Sequence, residues 1–148
     1  VHFIEADNSS YLCSDRKDST YIYMKNIAET YWKRKKMPIP HLLLSDYEGR
    51  NVWSHKGIVH WRGMNICMVT DGYWRNKSAT NLLDIDYMYL CKGYKGEIAP
   101  LQKLFHIKRI VLDASLGDYK SKAYKEECKT LGLDYIDISE KGSFRILL

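Results

Sequence analysis

No two cysteines stand in a Cys-x-x-Cys spacing in this chain; Cys13, Cys67, Cys91 and Cys128 are scattered along it. Zinc knuckles and redox dithiols need closely spaced thiols, so neither is expected, and buried free thiols in apolar surroundings are the simpler reading. The histidines, His2, His41, His55, His60 and His106, are equally isolated. None forms His-x-His or His-x-x-x-His, the local pairs on which catalytic zinc sites are built, so no metal centre is expected. The strings Gly-x-x-x-x-Gly-Lys-Ser/Thr, Gly-x-Gly-x-x-Gly and Gly-x-Ser-x-Gly are missing too, which removes the P-loop, the dinucleotide fingerprint and the nucleophile elbow. No cofactor is expected. No apolar run approaches the roughly 20 residues that span a bilayer.

What is there is globular. With 148 residues, 45% hydrophobic and 28% charged, the chain has the size and composition of one domain with a real core. Twelve tyrosines and four tryptophans predict a core and surface rich in amphipathic rings. The net charge of +5 favours acidic partners modestly. The chain opens on the strand-like Val1-His2-Phe3-Ile4, without Met or a leader, and is expected to be a piece of a longer protein.

Short strands at 1–4 and 11–13, separated by the turn-prone Asp7-Asn8-Ser9-Ser10, read as an opening hairpin. A helix starting at Asp18 or Ser19 places Met24, Ile27, Ala28 and Tyr31 on one face and stops before Pro38 and Pro40. Its last turn holds Lys33-Arg34-Lys35-Lys36, which reads as a solvated end complementing the helix dipole or as a nucleic-acid patch. The buried run His41-Leu42-Leu43-Leu44 breaks at Ser45-Asp46-Tyr47-Glu48-Gly49, a turn where hydrolases keep metal ligands or a base, though an ordinary turn has the same composition. Strands at 57–61 and 64–69 form a hairpin through Arg62-Gly63, and the second ends at Thr70-Asp71-Gly72. In Tyr73-Trp74-Arg75-Asn76-Lys77-Ser78 aromatic and basic side chains alternate, a mixture suited to base stacking with phosphate contact or to ring-on-cation packing within the protein.

The chain is organised around 84–115: an apolar run, the loop Lys92-Gly93-Tyr94-Lys95-Gly96, a short helical pattern and a second apolar run ending in Asp113-Ala114-Ser115. This describes a β-loop-α-β unit with parallel strands, whose carboxyl ends, at 92–96 and 113–118, are where ligands gather in such sheets. Lys92 and Lys95 add charge to a loop that Gly93 and Gly96 let turn tightly, making an anion-binding candidate. A helix over 119–131 turns Tyr124, Cys128 and Leu131 inward and ends at Gly132. Strands at 133–139 and 144–148 close the chain around Glu140-Lys141-Gly142-Ser143. The whole is predicted to be one mixed α/β layered unit.

These positions together resemble the C-terminal extramembrane domain of the ComEC-type competence proteins, the channel family of bacterial DNA uptake, in the form seen in Bacteroidetes. That domain belongs to the metallo-β-lactamase-like superfamily. The resemblance rests on 87–96 with 107–113, which match in shape a strand, a His-His-Gly-Ser loop, a short helix and a strand. It rests also on 140–147, which look like the terminal strand pair. Leu42-Leu43-Leu44-Ser45-Asp46 sits where the superfamily carries His-x-His-x-Asp-His, and Met68-Val69-Thr70-Asp71 resembles a strand ending in Thr-Gly-Asp. It implies a reduced metallo-β-lactamase-like α/β fold over 1–148, with mixed β-sheets and helices packed outside. The ligand histidines are replaced, and Asp46 and Asp71 remain as vestigial metal candidates. The implied role is that of a non-catalytic binding or assembly module beside the transmembrane portion of an inner-membrane channel, on the periplasmic side. Lys92, Gly93, Lys95, Gly96, Arg75 and Lys77 are then the candidates for contact with DNA. A hydrolase using Asp46, Glu48 and Asp71 with a hard divalent cation and a purely structural scaffold are the alternatives.

Overall fold

The computed structural model describes residues 1–4, 10–13, 26, 28–43 and 46–146. The chain divides into two compact units, Val1–Gly49 with Ser54–Lys56, and Arg50–Trp53 with Gly57–Leu148. In the first, β1 (His2–Ile4) and β2 (Ser10–Cys13) form the expected antiparallel pair, Phe3 opposite Tyr11, and β3 (His41–Leu43) lies parallel to β2. The expected turn from Asp7, the helix start at Asp18 or Ser19, the inward positions Met24 and Ile27, and Leu44 and Ser45 fall outside the described residues. Residues 28–34 are helical and the helix has ended before Pro38, whose ring cannot continue it. One expectation for its face is corrected: Trp32 is 3% exposed and Tyr31 39%, because the larger indole takes the position that buries more apolar area. Lys33 to Lys36 are all exposed, and Lys33 pairs with Glu29 one turn back at 2.9 Å.

A second correction falls at Asp46-Tyr47-Glu48, which is a strand, β4 (Asp46–Glu48), and not a turn. Its alternation of exposed, half-buried and exposed residues puts both carboxylates on one face. Beyond it lie β5 (Val52–His55), β6 (Ile58–Trp61) and β7 (Met64–Val69). Both two-residue links carry positive φ at each central position, Lys56 47° and Gly57 82°, Arg62 48° and Gly63 79°, the geometry whose twist suits a tight hairpin.

The second unit is built on parallel pairing. After β7 come β8 (Leu83–Ile85), β9 (Tyr87–Leu90), a 3-10 turn (Ala99–Lys103), β10 (Phe105–Ile107), β11 (Arg109–Leu112), the helix Asp118–Leu131 and β12 (Asp134–Asp137). Within this unit the main sheet has the order β12-β11-β9-β7-β6, mixed because β6 runs antiparallel to β7, and β8 and β10 make a two-stranded parallel sheet. Strands β7, β9, β11 and β12 are mutually parallel neighbours, in register Cys67 with Met88, Met88 with Ile110, and Ile110 with Tyr135. Their apolar runs are buried; Val69, Met88, Leu90, Ile110 and Leu112 are 0% exposed, as both-face coverage of parallel strands requires.

The helix Asp118–Leu131 buries Ser121, Tyr124 and Cys128, spaced three and four apart, with Leu131 packed at the margin of the core. Burial of each large side chain on such a face contributes about 1.5–3 kcal/mol. Gly132, left-handed at φ 66°, ends the helix as expected, and its N–H donates to the Cys128 and Lys129 carbonyls. The chain's end differs from expectation. Residues 138–141 form a short helix (Ile138–Lys141), and 144–146 are not a strand, Phe144 packing its ring 5.5 Å from that of Tyr87; Leu147 and Leu148 are outside the described residues. The cause is Asp137, whose Oδ1 accepts from the Ser139 N–H at 2.8 Å and hydroxyl at 2.6 Å. That caps a helical turn directly after β12.

Candidate functional site

The parallel strands of the second unit end side by side, and their carboxyl ends bring together Thr70-Asp71, Cys91-Lys92-Gly93 and Asp113-Ala114-Ser115. The Lys92–Gly96 loop is seated by its backbone. The Cys91 N–H donates to the Val69 carbonyl at 3.1 Å, Tyr94 N–H closes a turn on the Cys91 carbonyl, and Lys92 N–H donates to Ser115 Oγ at 3.3 Å. Gly93 has no room for a side chain, since a Cβ there would collide with the Thr70 carbonyl oxygen.

The helix Asp118–Leu131 fastens the other end of the loop. Lys120 Nζ donates to the Gly96 carbonyl at 3.1 Å and lies 4.3 Å from the centroid of the Tyr124 ring; Tyr124 Oη donates toward the Tyr94 and Gly96 carbonyls at 3.2 and 3.0 Å. Glu127 Oε1 accepts from the Ile98 and Ala99 N–H groups at 2.6 and 2.8 Å, satisfying donors that the start of the 3-10 turn leaves open. Burial raises the Tyr124 hydroxyl's pKa, and the neighbouring Tyr94 and Glu127 raise it further. Burial also raises that of Tyr94, with Glu127 adding and Arg75 opposing. Both rings therefore stay protonated donors, and Tyr94 Oη donates to the Glu97 carbonyl at 2.6 Å.

The carboxylates at the strand ends are engaged locally. Asp71 Oδ1 accepts from the Tyr73 N–H at 2.8 Å. Asp113 accepts from the Ser115 N–H at 3.0 Å and from the Tyr89 hydroxyl at 3.1 Å, a phenol whose pKa is pushed up by burial and by Asp113 itself. At the end of β12, Asp137 binds Lys125 Nζ at 2.6 Å and the Ser121 hydroxyl at 2.9 Å. Burial opposes its ionisation, but Lys125 with the Ser139 and Ser121 hydroxyls prevails and holds the carboxyl well below the usual carboxylate range. In the first unit Asp46 Oδ1 lies 2.9 Å from His55 Nδ1, and Glu48 is exposed on the same strand. Among the described residues no three His, Cys, Asp or Glu side chains form a group able to hold a metal ion. The rim residues include two lysines and no histidine, which does not fit a two-zinc centre built on converging imidazoles.

Of the expected binding residues, Lys92, Gly93, Lys95 and Gly96 stand together on this rim, with both lysines exposed. Arg75 is near enough to act electrostatically on Tyr94. Lys77 is exposed as well, yet its ammonium sits 3.3 Å from the Tyr73 ring centroid and 5.6 Å from that of Trp74, which itself packs on Phe105. Packing within the protein thus accounts for part of the aromatic and basic segment. The contributions of Lys120, Tyr124 and Glu127 were not visible in the sequence, because each bonds to a loop 24 to 30 residues away. A depression of about 760 Å3, lined by Asp84, Asp86, Gln102, His106 and Lys108 among others, opens near the amino ends of β9 and β11, away from the rim. No helix among the described residues is long and apolar enough to cross a membrane.

No curated protein and no solved structure matches this chain. A family model, the ComEC C-terminal domain, matches residues 1–148. The chain belongs to that family, as a domain of ComEC, a competence DNA-uptake protein.

Proposed function

We propose that this ComEC domain is a non-catalytic module whose strand-end rim, at Lys92 and Lys95 with Arg75 and Lys77 beside it, meets the DNA backbone. One observation carries the reading. Where a metal-dependent relative would present a cluster of ligands, Asp71 and Asp113 each accept turn hydrogen bonds and two exposed lysines ride a loop fastened from both ends. Fixed backbone and free ammonium groups suit phosphate contact, which needs charge at a held position and no chemistry. The fold is read as a reduced metallo-β-lactamase-like one in a single domain over 1–148, the family match running across both units. The domain's other neighbour is the transmembrane portion of the same protein, on the extracytoplasmic side.

The test is DNA binding across a salt series, together with metal analysis and a nuclease assay in added Mn²⁺. The reading expects binding whose logarithm falls linearly with log salt, by about 0.9 per phosphate neutralised on duplex, and intact DNA. Cleavage abolished by Asp46→Asn, Glu48→Gln or Asp71→Asn would establish the hydrolase instead. Absence of both DNA and metal binding would leave the scaffold.

A further inference from the structure

Tyr119 is 88% exposed, a large ring offered almost whole to solvent. It stands between two residues that bond to the lysine loop: Ser115, whose hydroxyl accepts from the Lys92 N–H, and Lys120, whose ammonium donates to the Gly96 carbonyl. Its backbone belongs to the first turn of the helix Asp118–Leu131, whose inner face is anchored by Ser121 and Tyr124 in the core. The ring is therefore carried on a helical turn whose flanking residues bond to the backbone of the Lys92–Gly96 loop, with the exposed Lys122 one turn further on.

We propose that Tyr119 is a base-stacking platform, and that the rim prefers single-stranded DNA to duplex. This rests on the DNA-contacting role proposed for the lysine loop. Stacking needs a ring with open faces close to phosphate-binding charge, and a base presents its own face only when it is out of the duplex. A membrane surface fits less well. Interfacial binding requires a broad apolar face, and Tyr119 is surrounded in sequence by Ser115, Gly117, Asp118 and Lys122. Opposing charge comes from Asp71, Glu97, Asp113, Asp118 and Glu127; Asp71, Asp113 and Glu127 each accept backbone N–H groups, while Lys92, Lys95 and Lys122 are exposed.

The test uses the whole chain in fluorescence-anisotropy titrations against labelled oligo-dT and a duplex of equal length at one salt concentration. A third titrant is vesicles of phosphatidylcholine with phosphatidylserine. Tighter binding of oligo-dT is expected, weakened about 5- to 100-fold by Tyr119→Ala and kept by Tyr119→Phe, since the stack uses the ring and not the hydroxyl. The salt slope should be the same in Tyr119→Ala, because no phosphate contact is lost, whereas Lys92→Ala/Lys95→Ala should flatten it. If the lysine variant weakens binding and Tyr119→Ala does not, the stacking platform is refuted and the lysine rim stands. If neither DNA form binds, both fail. Tyr119-dependent binding to vesicles alone would also refute the proposal. Circular dichroism of Tyr119→Ala should match the parent, because so exposed a ring leaves no cavity.

Discussion

At the scale of single residues, Gly93 and Asp137 do the most to fix the geometry of the strand ends. Gly93 lies so close to the Thr70 carbonyl that Gly93→Ala must push the loop off β7. We expect a loss of about 1–3 kcal/mol, the usual cost of forcing a methyl into filled space, read as a lower urea midpoint at unchanged slope. Asp137 is 4% exposed and paired with Lys125, and its pKa is lowered in the fold. A depressed carboxyl contributes stability that is complete above its unfolded value of about 4 and is lost as pH falls through the native value. Denaturation series below about pH 4 should show that loss in the parent protein and a smaller one in Asp137→Asn, which is already less stable at neutral pH. The thiols give a further check. Burial pushes Cys67 to about 12 and, with Glu127 adding, Cys128 to about 11, so neither should react with a thiol reagent at pH 8 until the protein is unfolded.

Among the elements, the helix Asp118–Leu131 acts as a clasp on the loop as well as a wall of the core. Removing its Glu127 carboxylate strips two N–H groups of their acceptor. Glu127→Ala should cost about 1.5–3 kcal/mol, the range for hydrogen bonds to a charged group, and raise amide hydrogen exchange at Ile98 and Ala99. Glu127→Gln, which keeps an acceptor oxygen, should recover much of the protection. This helix, β9 and β11 were legible in the sequence because their signals are local: continuous apolar runs, inward positions three and four apart, and a glycine at the helix end. β5 was not, since Val52-Trp53-Ser54-His55 alternates but is followed by Lys56-Gly57 rather than a stronger turn signal such as Asn-Gly. The final helix hid behind Asp137, whose capping role competes with the strand that 133–139 otherwise suggests; Glu140 three residues on was the overlooked hint. The fasteners of the loop carried no such hint, because contacts between β-ends and a later helix are set by packing and not by spacing.

For the whole molecule, a net charge of +5 matters less than where the cations sit. Lys33 to Lys36 belong to the first unit, while Lys92, Lys95, Lys120 and Lys122 lie around one loop and helix of the second. Binding governed by the rim should respond to substitution there and remain within about twofold when exposed Lys35→Ala and Lys36→Ala are made together, measured by anisotropy at one salt concentration. The parallel β7, β9, β11 and β12 supply the rigidity behind this, holding the loop through backbone bonds that do not depend on the lysine side chains. The charges of Lys92 and Lys95 can therefore be removed without loosening the scaffold, whereas that of Lys120 also fastens the loop at the Gly96 carbonyl.

The most direct measurement is the salt dependence of DNA binding in the presence of Mn²⁺, for the parent chain and Lys92→Ala/Lys95→Ala, with strand integrity read on a gel from the same samples. The account expects a falling line in the parent and a slope shallower by about 0.7 per lost phosphate contact on single strands in the variant, with uncut DNA in both. Binding indifferent to salt, equal slopes for the two proteins, or Mn²⁺-dependent cutting would contradict it.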